Sequence, residues 1–172
     1  MIPVERIGRY KIVKELGRGA MGIVYKAFDP KIGRTVAVKT IRFGEVEEPE
    51  RRAKLRERLF REARSAGVLS HPGIVTIYDV EEEQDLAYIT MEFVNGPTME
   101  MMLGSGKALT ADRLLDILRQ TAAALDYAHR KGIVHRDIKP GNIMVSEEGS
   151  VRITDFGIAK MTDSENLTRT GN

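Results

Sequence analysis

The chain has 172 residues, 42% of them hydrophobic, enough for one sizeable domain or two small lobes with a buried core. Its formal charge of +2 comes from 27 basic and 25 acidic residues spread along the sequence, so no strong field favours nucleic acid or an anionic membrane. The absence of cysteine excludes disulfides, thiolate metal sites and thiol nucleophiles and fits a reducing compartment, and with no apolar run near the ~18 residues of a membrane span and no signal-peptide pattern at Met1 to Arg6, a soluble, cytoplasmic chain is expected.

Residues 10–16, 23–28 and 35–41 read as three antiparallel strands, with a glycine cluster after the first and a turn at Asp29 to Arg34 after the second. Residues 49–69 change period: Leu55, Leu59, Ala66 and Leu69 recur at helical spacing on a charged segment, which predicts an amphipathic helix ended by His71-Pro72-Gly73. Strands are predicted at Ile74 to Val80 and Leu86 to Phe93, with the acidic turn Glu81 to Asp85 between them. After Asn95-Gly96-Pro97 the pattern turns helical. A short piece carries Met99, Met101 and Met102, which read as gap-filling core rather than a binding surface, and a long helix follows from about Thr110 to Lys131, with Gly132 as its stop. Two short strands, Ile143 to Val145 and Val151 to Thr154, flank a turn at Glu147 to Gly149.

Three features carry chemistry. Gly17-Arg18-Gly19-Ala20-Met21-Gly22 lies between two strands, whereas a dinucleotide-binding loop of the same spacing must open a helix. In a hairpin these glycines permit a tight turn whose N–H groups approach phosphate oxygens, although alone they equally describe a flexible hairpin. Lys39 shares a strand face with apolar Ala37 and Ile41, and Glu62, seven residues after Leu55 and four before Ala66, falls on the apolar stripe of its helix. Two inward charges of opposite sign suggest one ion pair; the alternative is that both reach solvent along their stems. The third feature is His135-Arg136-Asp137-Ile138-Lys139-Pro140-Gly141-Asn142, followed thirteen residues after Asn142 by Asp155-Phe156-Gly157. His71 and His129 read as structural, His71 belonging to the helix-to-strand turn.

Together, in this order and spacing, these motifs resemble the catalytic machinery of the protein kinase family over essentially the whole chain. The resemblance implies an α+β, protein-kinase-like fold: a five-stranded antiparallel N-lobe with one helix over residues 1–93, then the beginning of a mainly helical C-lobe over residues 94–172. It implies ATP as substrate and Mg2+ as cofactor, with Mn2+ as an alternative. The glycine hairpin (Gly17, Arg18, Gly19, Ala20, Met21, Gly22, with Ile23) would cover the phosphates, Lys39 would hold them with Glu62 orienting it, and Asn142 and Asp155 would ligate the metal. Asp137 would accept the proton of a protein Ser or Thr hydroxyl, and Lys139 matches the Ser/Thr branch. Adenine would lie among Leu16, Val24, Ala37, Met91 and Met144, with the backbone of Glu92 and Val94 bonding it. Ala66, Ile77, His135 and Phe156 match the family's regulatory stack. Gly141 and Ile158-Ala159-Lys160 look bacterial, where such a kinase is often the cytoplasmic portion of a longer membrane-anchored protein. Arg136 and Leu167-Thr168-Arg169-Thr170 resemble a phosphorylated activation segment, with Thr168 and Thr170 as acceptors that mass spectrometry would identify.

The family's distal motifs do not follow Asn172, so apolar residues of the long helix (Leu114, Leu118, Leu125) are expected to lack part of their cover, and self-association or a covering partner is expected. Two other functions fit less of the sequence: a nucleotide-binding fragment without transfer activity, and a small-molecule kinase of related fold, which His135-Arg136-Asp137 and Asp155-Phe156-Gly157 disfavour.

Overall fold

The structure, a computed structural model, describes residues 5–19, 22–43, 48–83, 86–106 and 108–156. The chain divides into two compact units, one of residues 1–61 with 77–93, the other of residues 62–76 with 94–172.

The first unit is built on one six-stranded antiparallel sheet. Its strands are β1 (Arg6–Ile7), β2 (Tyr10–Gly19), β3 (Gly22–Asp29), β4 (Arg34–Arg42), β5 (Ile77–Glu83) and β6 (Leu86–Glu92), in the spatial order β1-β2-β3-β4-β6-β5. Five of them are the predicted strands. The sixth, β1, turns back onto β2 through Gly8, whose φ of 53° suits glycine, and its two residues are too few to show any alternation. One face of the sheet buries Ile7, Tyr10, Ile23, Tyr25, Ala27, Val36, Val38 and Tyr88 as a continuous core. The β3–β4 hairpin is fixed by Asp29, which accepts from Lys31 N at 2.9 Å and pairs with Arg9 at 3.2 Å. Burial pushes the Asp29 carboxyl upward, but these partners outweigh it and hold the pKa below the ordinary range.

Helix α1 (Pro49–Gly67) crosses the boundary between the units at Arg61 and Glu62. Of its predicted stripe, Leu59 and Ala66 are buried, joined by Ala63, Leu55 is half-buried, and Leu69 is buried beyond the helix end. Arg56 forms an ion pair with Glu82 of β5 at 2.6 Å, tying the helix's first half to the sheet. The strand predicted from Ile74 begins at Ile77 instead. Residues 73–75 pair elsewhere: Ile153 N donates to Gly73 O at 2.8 Å, and Val75 N donates to Ile153 O at 2.9 Å. These two bonds pull the segment into the second unit.

The second unit holds α2 (Met99–Gly104), α3 (Ala111–Arg130) and the two-stranded sheet of β7 (Ile143–Val145) and β8 (Val151–Ile153). Helix α3 starts where Thr110 accepts from Arg113 N at 3.3 Å and stops before Gly132, whose φ is 74°. Met99, Ile117, Ile143, Val145 and Val151 form one core cluster with Met102 packed against it, so these two methionines are packing, as expected, whereas Met101 is 61% exposed. On the other side of α3, Leu114 and Leu118 are 36% and 49% exposed and Leu115 more so, while Leu125 is half-buried. Among the described residues no helix is long and apolar enough to cross a membrane.

Candidate active site

In the first unit, sheet register places the predicted nucleotide residues. Val24 stands opposite Lys39, Lys39 opposite Ile89, and Ala37 opposite Met91. Paired residues and residues two apart share a face, so Val24, Ala37, Lys39 and Met91 lie on one side of the sheet, away from the core around Tyr10. Ile23 points the other way, into that core, and Glu92, paired with Val36, shares its side; their backbones, not their side chains, remain as candidates for a ligand on the Val24 side. Two irregularities in the β2–β3 ladder, at Ile12/Lys14 and Glu15/Gly17, leave Leu16 unpaired and partly exposed.

The glycine hairpin closes with Gly19 opposite Gly22; Ala20 and Met21, between them, lie outside the described residues. Among the described residues, a Cβ added at Gly17 or Gly19 would meet nothing within 4 Å. Packing within the chain therefore does not demand glycine at either position, and the space is open to a bound group. Arg18 pairs with Glu15 at 3.0 Å, both side chains being exposed.

Lys39 is half-buried on β4 in the first unit, and Glu62 is half-buried in the stripe of α1 in the second. Val94 is buried at the start of residues 94–98, which run beside β7: Val145 N donates to Pro97 O at 2.9 Å and Glu147 N to Asn95 O at 3.2 Å. A Cβ at Gly96 would fall on the Val145 carbonyl oxygen, so close approach requires glycine there. Met144, paired with Arg152, faces away from buried Ile143 and Val145 and bridges to Thr98.

The second unit brings together His135, Asp137, Lys139, Asn142, Asp155 and Phe156. His135 is 1% exposed, and its two ring nitrogens have different partners. Nδ1 accepts from Asp137 N at 3.2 Å, which leaves Nε2 to donate to Thr154 O at 2.8 Å. Both contacts are satisfied by the neutral ring, and burial holds its pKa below the ordinary histidine value. The ring meets Phe156 edge-on, with centroids 4.6 Å apart. One buried side chain thus ties the Asp137 loop to the segment leading into Asp155.

Asp137 is held on two sides. Its Oδ2 lies 2.8 Å from Lys139 Nζ and accepts from Asn142 Nδ2 at 3.0 Å, while Asn142 Nδ2 also donates to Asp137 O at 2.8 Å. The Lys139 ammonium, more than the other groups, draws the Asp137 carboxyl below its ordinary pKa, and Asp137 in turn raises that of Lys139. Both hydrogens of the Asn142 amide are used on Asp137, so its oxygen faces the other way.

Asn142 ends the tight turn Pro140–Asn142, and its carbonyl accepts from Thr154 N at 3.0 Å, one step beyond the β7–β8 pair Ile143↔Ile153. That bond carries the ladder past its last strand residues and brings Asn142 and Asp155 to the same end of the hairpin. Arg136 and Asp155 both take positive φ, 69° and 63°, a left-handed conformation that costs a non-glycine residue roughly 1–3 kcal/mol. Such strain persists where surrounding bonds hold it, and it concentrates at functional sites.

Sequence reading missed how the hairpin is anchored. Gln120 of α3 accepts from Val151 N at 2.9 Å through Oε1 and donates to Gly149 O at 3.4 Å, and Arg113 reaches the same carbonyl at 3.4 Å. The signal was present in one polar residue, Gln120, placed one turn from buried Ile117 and Ala124 on an amphipathic helix. Gly157, Thr168 and Thr170 lie outside the described residues. Among the described residues no three His, Cys, Asp or Glu side chains cluster as in an all-protein metal cage; the candidate ligands here are one carboxylate and one amide.

Comparisons with known proteins find relatives of this chain among serine/threonine-protein kinases. A probable serine/threonine-protein kinase of Streptomyces coelicolor is 44% identical over 167 residues, covering 95% of this chain and 24% of the relative. The serine/threonine-protein kinase PknA of Mycobacterium tuberculosis is 43% identical over 169 residues, covering 95% and 38%. The chain therefore spans about a quarter to two-fifths of the length of these relatives. Among solved structures, the Mycobacterium tuberculosis PknI kinase domain superposes with a TM-score of 0.75 at 31% identity, over 89% of this chain and 61% of that one. Rad53 residues 1–466 in complex with AMP-PNP gives a TM-score of 0.75 at 33% identity, over 87% and 38%. Residues 10–171 match the protein kinase domain as a family, and the chain belongs to it.

Proposed function

We propose that this chain carries the ATP-dependent transfer of a phosphoryl group to Ser and Thr hydroxyls of proteins. The observation that supports this most is the double hold on Asp137 by Lys139 and Asn142. At neutral pH Asp137 is ionised, because the adjacent ammonium stabilises the carboxylate. Both holds fall on Oδ2, leaving Oδ1 to meet a substrate hydroxyl. As the hydroxyl oxygen bonds the γ-phosphorus and the bond to the β-phosphate oxygen breaks, Asp137 takes the hydroxyl proton and ADP leaves. Lys139, beside Asp137, steadies the negative charge on the phosphoryl group in flight.

The donor set fits Mg2+. Asn142 offers an amide oxygen, its nitrogen being used on Asp137, and Asp155 offers a carboxylate; oxygen ligands of this kind suit Mg2+, with Mn2+ as an alternative. When bound, the ion neutralises charge on the phosphates. As the family resemblance implies, Lys39 would hold the inner phosphates under the glycine hairpin with Glu62 orienting it, and Leu16, Val24, Ala37, Met91 and Met144 with the backbone of Glu92 and Val94 would take the adenine. The activity belongs on the cytoplasmic side, where ATP is held. The exposed Leu114, Leu115 and Leu118 form an apolar strip suited to a second copy or a partner.

The acceptor class is tested by incubating the protein with labelled ATP, Mg2+ and a protein acceptor, then hydrolysing to phosphoamino acids. Phosphoserine and phosphothreonine are expected; label found only on tyrosine, or only on a small molecule, would overturn the reading.

A further inference from the structure

The β3–β4 ladder runs from Asp29↔Arg34 to Val24↔Lys39, and the next residue of β3, Ile23, meets the side chain of Thr40. Ile23 N donates to Thr40 Oγ1 at 3.2 Å, and the same hydroxyl donates to Ile23 O at 3.0 Å. One hydroxyl thus serves both polar groups of one residue, which a single O–H donor with two lone pairs can do. Thr40 is 4% exposed, so water does not readily replace it. One residue earlier, Gly22 has a φ of 144°, and a Cβ there would fall on the carbonyl oxygen of Thr40. Thr40 therefore meets the outgoing arm of the glycine hairpin twice, by its hydroxyl at Ile23 and by its carbonyl at Gly22.

We propose that Thr40 is the positioning residue of the glycine hairpin, locking the hairpin's exit to the strand residue next to Lys39 and so setting its height over the phosphates. This rests on the nucleotide reading above and adds to it a residue that touches no nucleotide. Through Thr40, the hairpin and Lys39 share one backbone anchor, and loosening it affects the phosphate end of a bound nucleotide while sparing the adenine end. Valine keeps the shape and removes the hydroxyl, leaving two buried backbone groups of Ile23 without their partner. Serine keeps the hydroxyl.

The test compares affinities for AMP-PNP with Mg2+ and for adenosine, by calorimetric titration of the whole protein and its Thr40→Val, Thr40→Ala and Thr40→Ser variants. Losing one to two net hydrogen bonds, if carried wholly into the bound state, corresponds to roughly five- to thirtyfold weaker AMP-PNP binding. That loss is expected in Thr40→Val, with adenosine affinity within about twofold of the unmodified protein and Thr40→Ser restored. Amide exchange at Ile23 should quicken in the same variant, and Thr40→Ala decides in its place if Thr40→Val does not fold. Unchanged AMP-PNP affinity in Thr40→Val, or equal losses of AMP-PNP and adenosine, would overturn the positioning role alone. Failure of the unmodified protein to bind AMP-PNP would overturn the nucleotide reading and this inference together.

Discussion

Replacing His135 by phenylalanine tests whether one buried ring holds the two halves of the transfer site together. Phenylalanine keeps the ring and its edge-on contact with Phe156 but cannot accept from Asp137 N or donate to Thr154 O. Each neutral hydrogen bond contributes about 1 kcal/mol net, and an abandoned polar group adds to that where water cannot reach it. Asp137 and Thr154 are half-buried, so water recovers part of the loss, and a total of roughly 2 kcal/mol follows. For a chain of this size 1 kcal/mol moves Tm by about 2–4 °C, so a fall of about 4–8 °C is expected. Phosphoryl transfer should fall further than stability accounts for, because the strained conformations of Arg136 and Asp155 depend on this tether. Thermal scans and initial rates at saturating Mg2+ and ATP measure both. A variant within about 1 °C of the unmodified Tm and with its full rate would refute the tethering argument.

The remaining expectations concern pH, the hairpin and the α3 surface. His135 has a folded pKa below its ordinary 6.5, so the unfolded chain binds the extra proton first; the stability it contributes is complete above about pH 6.5 and is lost as pH falls through the lower folded value. The slope of stability between pH 7 and 5 should therefore flatten in His135→Phe, and an unaltered slope would contradict a neutral buried ring. Asp137, also lowered, adds its share only above its ordinary 3.8, so the two groups separate in an acid titration. Gln120→Leu leaves buried Val151 N without its acceptor and should cost about 1–3 kcal/mol in urea unfolding, where a change below about 0.5 kcal/mol would show that the anchor is dispensable. Light scattering should show association that Leu115→Glu with Leu118→Glu abolishes; a strictly monomeric unmodified protein would rule that out.

Much of this was legible in the sequence because the informative residues stand close together. The eight residues from His135 to Asn142 carry the held aspartate, its lysine and its asparagine, and β7–β8 is short enough that its hairpin was visible from the turn at Glu147 to Gly149. Helix α3 announced both ends through Thr110 and Gly132. What stayed hidden lacked a local pattern. Strand β1 has two residues, and the pairing of residues 73–75 with β8 joins segments far apart in sequence, so neither leaves a periodic trace. Thr40 reads as one more β-branched residue on a buried strand face, since nothing local reveals that its hydroxyl serves Ile23. The left-handed backbone at Arg136 is equally silent, because arginine is not a residue that favours it.

The central claim, that Asp137 serves phosphoryl transfer from ATP, is tested most directly by intact-mass analysis of the protein after incubation with Mg2+ and ATP, beside an Asp137→Asn control. The account predicts added phosphate on the unmodified protein alone, with both forms retaining AMP-PNP binding. Equal phosphate on both forms would contradict the role of Asp137, and none on either, with AMP-PNP still bound, would leave a nucleotide-binding protein without transfer activity.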